Sequence, residues 1–516
     1  MARYDKTHDP GKNKELLEQI SGKRLDLKQV IQQTVYIFEQ CRMNRRAPIP
    51  EKVQPLSFSE KAMESLFRLT AKRSQILEST RILVDDEGNV IPDWKSKLDQ
   101  EYEQLLANII MEVNVADFGA VGDGKTDCTD AFKRALGTGR VKVVVPPGVF
   151  ITKGIRLPSW TCLIGKGKGS TTIKLHDQAS KGTRLITNAN HWRGNHHIFV
   201  QGMSLDWNVE RIGIAAKTST WGNHSSCLTY ANVTYGWVKD VEGINPGLHC
   251  FDISSTQYNY AGDGYRARGG SKYVWLDHVS GYGFGDDGIT THHSDYIFIS
   301  NSHICDPSGR AHQKGFSNSN GIEVDDGSRN VLLANNSSAR CFGGVEIKAH
   351  QNSSAANNVQ IVGHLSVNDN RAFNFRHIGH HKITDPESQS AFNIIAVNLA
   401  AIEPIFTDLY KDSAPRGMVI SAYKNVVVNH FTLVGDPNYD YKRNPLVALQ
   451  YRARNVFLDN ITATDFNKAG AMIKVYGGDN RADSIKILTY PSEKIEIGSG
   501  VQDITIDSTE SVNVYF

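Results

Sequence analysis

Three segments with one shared pattern constrain the fold of this chain more than any other feature. Each begins at a glycine-containing turn and continues as a strand of alternating apolar and polar residues, at 285–292, 320–327 and 343–350. If the strands stack in register, Ile289, Ile322 and Val345 share one inward column. Such stacking is typical of a solenoid that buries one continuous core.

The outward positions of these strands gather charged residues. The two outward columns read Thr290, Glu323, Glu346 and His292, Asp325, Lys348. Stacked parallel strands lie about 4.8 Å apart, so the carboxylates would crowd within about 10 Å. Like charges on neighbouring strands repel each other, which favours a functional site over a purely structural role. The alternative is a solvated outer face with charges at the ends of turns.

The carboxylates of this patch are the candidate catalytic groups. Asp286 and Asp287, in the turn before the first strand, would lie at its edge. Carboxyl groups that share a site hold different pKa values, so that one acts as an acid while another stays ionised. We therefore predict that Asp287, Glu323, Asp325 and Glu346 are catalytic, as in a glycosidase. The alternative is that Asp286 caps the turn and only Asp287 reaches solvent.

Basic residues around the patch predict an anionic substrate. Adding one more coil places Arg376 above Lys348, and cations of this kind hold phosphate groups. The predicted substrate-binding residues are Asp286, His292, Arg310, Lys348, His350, Arg376 and His377. The alternative is simple charge pairing of Lys348 and Arg376 with the carboxylates. The histidines at 377, 380 and 381 lack clear ligand spacing, so we predict no metal ligand there.

Composition excludes several classes of protein. Charged residues are 22% and the formal net charge is +2, which does not favour a nucleic-acid partner. The seven cysteines show no close pairing, so neither a disulfide framework nor a zinc knuckle is expected. The first residues lack the apolar core of a signal peptide, and no stretch is apolar enough for membrane insertion. We expect synthesis in a reducing cytoplasm.

The texture of the sequence changes near residue 112. Residues 1–111 are rich in Lys, Glu, Gln and Leu and carry helical spacing at 25–38, 62–77 and 94–111. We predict an N-terminal α-helical attachment or assembly domain over 1–111, a β-solenoid over 112–490 and a β-structured tail over 491–516. A helix with Ala131, Phe132 and Ala135 on one side should follow the glycine-rich loop at 119–124. The alternative for 1–111 is a cap that covers the end of the solenoid.

The segment from Val113 to Phe132, with its D-F-G-A-V-G-D-G-K-T-D core, resembles the opening of the pectate-lyase-like superfamily. That resemblance implies an all-β right-handed parallel β-helix, a fold that is common in phage tailspikes. Polygalacturonases of the superfamily carry G-D-D, H-G and R-I-K elements. Here Gly285-Asp286-Asp287 matches the first and Glu346-Ile347-Lys348 resembles the third. The H-G element is absent, and His312 in an inserted loop is a poor substitute.

A more specific resemblance runs from Asp306 to His381. It is similar to the β-helix of preneck appendages of small phages that infect Gram-positive bacteria, trimeric spikes that degrade wall teichoic acid. The resemblance implies a virion homotrimer that depolymerises teichoic acid or a surface polysaccharide of the host. From the helical pattern of 1–111 we expect attachment to tail or neck proteins through these residues. It implies no firm cofactor and leaves room for a divalent cation such as calcium. The alternatives are a non-enzymatic receptor-binding spike and a lyase or hydrolase acting on capsule or a pectin-like polymer.

Overall fold

Three parallel sheets wind into a solenoid along most of the chain. The computed structural model describes residues 4–43, 80–214, 216–220, 224–256, 269–351, 353–382, 384–385, 387–388, 390–488 and 495–507. Within them, successive coils return to the same sheets in the same order, and the strands of these sheets pair in parallel. The predicted parallel β-helix with an N-terminal helical segment is confirmed.

The first sheet carries the candidate site and is called the site sheet. Its strands are Ile155–Leu157, Ile186–Asn188, Leu228–Ala231, Phe251–Ser254, Ile289–Thr291, Asn320–Val324, Gly343–Ala349, Arg371–His377, Arg416–Ser421, Val447–Gln450, Ile473–Val475 and Ile495–Ile497. The predicted register is confirmed, because Ile289 pairs with Ile322 and Ile322 with Val345. These three side chains are fully buried in the core, so the polar residues between them point away from it.

The other two sheets share five long, bent strands, Asn195–Asp206, Val233–Ile244, Phe392–Ile402, Lys424–Val434 and Arg454–Thr464. The second sheet adds Met111–Asn114, Val141–Val144, Thr161–Ile164, Lys272–Asp277, Asp295–Ser300, Arg329–Ala334, Asn357–Val362, Asp483–Leu488 and Ile504–Asp507. The third adds Asp123–Asp127, Gly148–Thr152, Thr171–Leu175, Ser280–Tyr282, His303–Cys305, Ser337–Ala339 and Leu365–Val367. A separate antiparallel hairpin pairs Ile82–Val84 with Val90–Pro92.

Four α-helices lie before or at the start of the solenoid within the described residues: α1 (Asn13–Ser21), α2 (Leu27–Met43), α3 (Lys95–Ala107) and α4 (Thr129–Leu136). Short 3₁₀ helices occur at Pro10–Lys12, Val115–Phe118, Val209–Ile212 and Gly478–Asn480. None of the helices in the described part of the chain has the length and apolar character to cross a membrane. The helix predicted over 62–77 lies outside the described residues.

The N-terminal helices pack along the side of the solenoid. Phe38 of α2 belongs to the same buried cluster as Val427 and Phe457, and Leu105 of α3 to the same cluster as Trp237. These partners lie on strands in the middle of the solenoid, so α2 and α3 do not cover its end. Instead α4 packs at the start of the solenoid and buries Ala131, Phe132 and Ala135, as predicted. The domain division at 111 and 491 remains a prediction.

Asparagines make one corner of successive coils. Asn358, Asn393, Asn425 and Asn455 all have φ between 51° and 66°, a left-handed conformation that asparagine tolerates. Asn393 Nδ2 donates to Asn358 Oδ1 at 2.8 Å, Asn425 Nδ2 to Asn393 Oδ1 at 3.1 Å, and Asn455 Nδ2 to Asn425 Oδ1 at 2.7 Å. The resulting ladder of amides holds neighbouring coils in register along this edge.

Candidate functional site

A buried lysine lies at the centre of the outward face of the site sheet. Lys348 Nζ is 2.7 Å from Glu323 Oε1 and 3.6 Å from Asp325 Oδ2. Lys348, Glu323 and Asp325 are only 4%, 2% and 1% exposed. The four neighbouring carboxylates raise the pKa of Lys348 well above its usual value despite burial, so the ammonium stays charged.

The burial of this group contradicts the alternative of a solvated outer face with charges at the ends of turns. The side chains leave the core as predicted, but insertions from other coils close over them. His312 Nε2, in the 306–319 insertion, lies 2.7 Å from Asp286 Oδ1. Tyr410, in the 403–415 insertion, packs on Phe342 and pairs with Phe316. The insertions therefore cover the outer face of the site sheet, and the charged side chains of the site are buried beneath them.

Asp287 and Glu323 share an amide and hold their protons strongly. Asn320 Nδ2 donates to Asp287 Oδ1 at 3.1 Å and to Glu323 Oε1 at 2.9 Å. Burial and the charge of Glu323 raise the pKa of Asp287 well above its ordinary value. Burial raises the pKa of Glu323 to about 7, with Lys348 opposing the shift and Asp325 and Glu346 adding to it. Asp287 therefore holds its proton more strongly than a free carboxyl group does, and Glu323 is poised between its two states near neutral pH.

Asp325 and Glu346 are the ionised carboxylates of the cluster. Burial opposes ionisation of Asp325, but Lys348, His350 and His292 outweigh it and hold the pKa well below its usual range. Glu346 pairs with Arg376 Nε, and Arg376 and Lys348 together lower the pKa of Glu346 against its burial. The site thus contains both neutral and ionised carboxyl groups at one pH.

His292 links the cluster to an acidic residue of the preceding coil. Its Nδ1 is 3.5 Å from Asp252 Oδ1 and its Nε2 is 3.6 Å from Asp325 Oδ2. Burial alone would lower the pKa of His292, but hydrogen bonds to these two carboxylates raise it to about 10. His292 is therefore a second buried cation that helps to keep Asp325 ionised.

Comparison with known proteins shows what this chain is similar to. The model for "Rhamnogalacturonase A/epimerase, pectate lyase-like" matches residues 112–346. A phage-related protein of Bacillus subtilis (strain 168) is 52% identical over 437 residues, which are 84% of this chain and 54% of that protein. The pre-neck appendage protein of Bacillus phage phi29 is 37% identical over 494 residues, 90% of this chain and 57% of that protein. This chain is a homologue of the phage preneck appendage proteins.

The fold of the preneck appendage homologues agrees with this assignment. The crystal structure of the pre-mature gene product 12 of bacteriophage phi29 matches with a TM-score of 0.71 and 40% identity, over 78% of this chain and 53% of that chain. This preneck appendage homologue spans about half the length of the curated relatives it matches.

Most of the predicted residues of this preneck appendage homologue come together. Asp286, Asp287, Glu323, Asp325, Glu346, Lys348, His292, His350 and Arg376 form one connected network of hydrogen bonds and charges. The pairing of Lys348 and Arg376 with carboxylates, which was the alternative to substrate binding, is observed. His350 Nδ1 lies 3.0 Å from Asp326 Oδ2 and is partly exposed.

Arg310 and His377 were predicted in the site and make their contacts elsewhere. Arg310 donates to the backbone oxygens of Gly213 and Ala216, so it fastens its insertion to the 213–216 loop. His377 Nδ1 bonds Ser388 Oγ at 2.7 Å, and burial beside His380 lowers its pKa well below the usual value. Neither side chain forms a hydrogen bond or ion pair with a carboxylate of the cluster within the described residues.

Sequence reasoning missed Asp252 and dismissed His312. Phe251 pairs with Ile289 and Asp252 with Thr290, so Asp252 occupies the outward column one coil earlier. The alternation Phe251-Asp252-Ile253 carries that signal in the sequence. His312 offers no such signal, because its contact with Asp286 depends on the path of the inserted loop, and Asp286 raises the pKa of His312.

Three groups in the described residues bring histidine and carboxylate atoms within 4.8 Å of one another. They are His249 with Asp286 and Asp287, His292 with Glu323 and Asp325, and Asp325 with Asp326 and His350. Oxygen and imidazole ligands suit divalent cations. In the second group, however, the Lys348 ammonium already contacts both carboxylates.

Proposed function

We propose that this chain is part of a virion appendage that binds and depolymerises an anionic cell-wall glycopolymer, most simply wall teichoic acid, during adsorption. The proposal includes a homotrimer that is attached to tail or neck proteins through residues 1–111. The names of the relatives support the virion role. One observation supports cleavage: the Asn320 amide bridges Asp287, whose pKa is raised well above its usual value by burial, and Glu323, whose pKa is raised by burial to about 7.

The two bridged carboxyl groups suit acid–base catalysis. Because both oxygens contact Asn320 Nδ2, they lie no more than about 6 Å apart, so both carboxyl groups can act on one bond of the polymer. Asp287 is the proposed acid, which gives its proton to the leaving oxygen. Glu323 is the proposed base or nucleophile, since a base works best with a pKa near the working pH.

The remaining charges act on these two groups and on the substrate. Asp325 is paired with Lys348 and His292, so its basicity is low and its proposed role is to hold both cations in place. Arg376 donates to Glu346 from Nε and is partly exposed, so its terminal nitrogens are the proposed contact for a phosphate of the polymer. Lys348 would stabilise negative charge that develops beside Glu323.

The burial of the carboxylates supports a second candidate function. Glu323 and Asp325 have almost no exposed surface, whereas Arg376, His350 and His312 are partly exposed. A spike that only binds the polymer would use these exposed cations and leave the buried carboxylates as their structural counter-charges.

Product sizing after incubation with purified glycerol-phosphate teichoic acid, capsule and pectin separates the two functions. We expect wild type to shorten teichoic acid, and Asp287→Asn and Glu323→Gln to lose at least a hundredfold in rate, the usual worth of a positioned acid or base. Asp277→Asn is the matched control, because Asp277 is a half-buried carboxylate on the second sheet, bonded to Ser300. Binding of teichoic acid by wild type without any product would favour the binding spike.

A further inference from the structure

A group of basic side chains continues the site sheet toward the N-terminus, beyond Asp252. Strand pairing extends the outward column from Thr290 through Asp252, Thr229 and Thr187 to Arg156. Arg184, two residues before the Ile186–Asn188 strand, interacts electrostatically with Asp252 and Arg156. The acidic centre is thus followed along this column by one arginine, Arg156, and Arg184 precedes the neighbouring strand and interacts with Arg156 and Asp252.

Two hydrogen bonds hold Thr187 and His191 in place beside the arginines. Thr187 Oγ1 donates to Thr229 O at 2.9 Å and lies 2.7 Å from His191 Nε2. The hydroxyl hydrogen is used in the first bond, so His191 Nε2 is the donor in the second. Burial lowers the pKa of His191 to about 4, and the charges of Arg184 and Arg156 add to the shift, so the ring is neutral near pH 7.

Thr229 supplies an independent sign of a ligand. Its side chain is fully buried, and its Oγ1 makes no hydrogen bond to any residue that the structure describes. A buried hydroxyl without a partner is costly, so such groups in native proteins call for a specific explanation. Thr229 lies in the column between Thr187 and Asp252, next to the basic side chains.

We propose that Arg156, Arg184 and Thr229 form a phosphate-binding subsite for the same polymer whose cleavage is proposed above. The two guanidinium groups would neutralise a phosphate, and the Thr229 hydroxyl would donate to one of its oxygens. This inference rests on the proposed function. It adds that the bound polymer runs along the axis of the solenoid, across the coils.

The register gives the distance between this subsite and the reacting groups. Thr229, Asp252, Thr290 and Glu323 occupy successive strands, so Thr229 and Glu323 are separated by about 14 Å at ~4.8 Å per strand. A long polymer reaches both places at once, whereas an oligomer shorter than this span reaches only one. Substitution of the subsite residues should therefore weaken the binding of a long polymer and leave the binding of a short oligomer at the reacting groups unchanged.

The test compares Arg156→Gln/Arg184→Gln and Thr229→Val with wild type on long teichoic acid and on oligomers of one or two repeat units. For the long polymer we expect the arginine variant to raise KM at least roughly tenfold and Thr229→Val to raise it about threefold, with kcat nearly unchanged. For the short oligomers we expect no effect of either change. Matched controls are Arg140→Gln, an exposed arginine beside Asn108, and Thr161→Val, another buried threonine without a hydroxyl partner in the described residues.

The outcomes separate the subsite from the proposed cleavage. An unchanged KM for the long polymer in folded variants, checked by thermal melting, would overturn the subsite and leave the cleavage proposal standing. If wild type releases no product, the affinity for intact teichoic acid decides: weaker binding by both variants supports the subsite without cleavage. If wild type does not bind the polymer at all, both proposals fail. Because Thr229→Val removes only a hydroxyl that bonds no residue in the described part of the chain, it tests the subsite even if Arg184→Gln does not fold.

Discussion

Replacement of Glu323 by glutamine tests the electrostatics of the site through stability alone. The folded-state pKa of Glu323 is about 7, against an ordinary value of 4.5. The folded protein therefore binds this proton more tightly than the unfolded chain does. The stability that comes from the proton is fully present below about pH 4.5 and is lost as the pH rises through about 7.

The size of the effect follows from the shift. Each pKa unit corresponds to 1.36 kcal/mol, so the wild-type protein should lose about 3 kcal/mol through this group between pH 4 and pH 8. Glutamine keeps the hydrogen-bonding shape of the neutral acid and does not titrate. We therefore expect Glu323→Gln to gain stability relative to wild type by about that amount over the same interval.

Urea unfolding of both proteins at pH 5, 6, 7 and 8 measures the difference in free energy of unfolding. Taking the difference cancels the titration of groups that do not interact with Glu323. Asp277→Asn serves as control because a lowered pKa leaves Asp277 ionised over this range in folded and unfolded chains. A difference between wild type and Glu323→Gln that stays constant from pH 5 to pH 8 would refute the assigned pKa and with it the role of Glu323 as a base.

Three further predictions follow from the same contacts. Lys348→Met leaves Glu323 and Asp325 without their shared cation, so we expect the free energy of unfolding to fall by about 3–5 kcal/mol. The urea midpoint at pH 7 measures this loss, and an unchanged midpoint would contradict the ion pairing. The rate of cleavage should rise with pH through about 7 as Glu323 ionises, and a flat pH–rate profile between pH 5 and pH 8 would count against it. A chain that begins at Glu112 loses the helices that cover Trp237, so we expect it to bind a hydrophobic dye more strongly than the full chain does. Equal dye binding by the two chains would show that the helices are not needed to bury this apolar surface.

The register of the site sheet could be predicted from the sequence because it depends on local alternation. Ile289, Ile322 and Val345 must all face the core, and a shift by one residue would turn every outward side chain inward. That constraint also placed Glu323, Glu346 and Lys348 on the outer face. The same alternation at Phe251-Asp252-Ile253 indicates that Asp252 also faces outward, one coil before the 285–292 segment.

The burial of the site could not be predicted from the sequence, because it depends on loops that meet only in three dimensions. Arg310 bonds the backbone at Gly213, 97 residues earlier in the chain. Tyr410 reaches the site from a third coil to pack on Phe342. These insertions have no period, so their paths are fixed by tertiary contacts rather than by alternation. They decide whether the carboxylates are solvated, and thereby set their pKa values.

The asparagine ladder limits how the length of the solenoid can change. Asn393 and Asn425 hold equivalent positions in neighbouring coils, and each amide bonds the next. Excision of residues 393–424 as one piece would bring Asn425 into the place of Asn393 and preserve the corner, whereas removal of a part of that piece would break it. Growth or shortening of the solenoid is thus quantised in whole coils. A polymer-binding surface along the site sheet would therefore lengthen or shorten in steps of about 4.8 Å, the spacing between neighbouring strands.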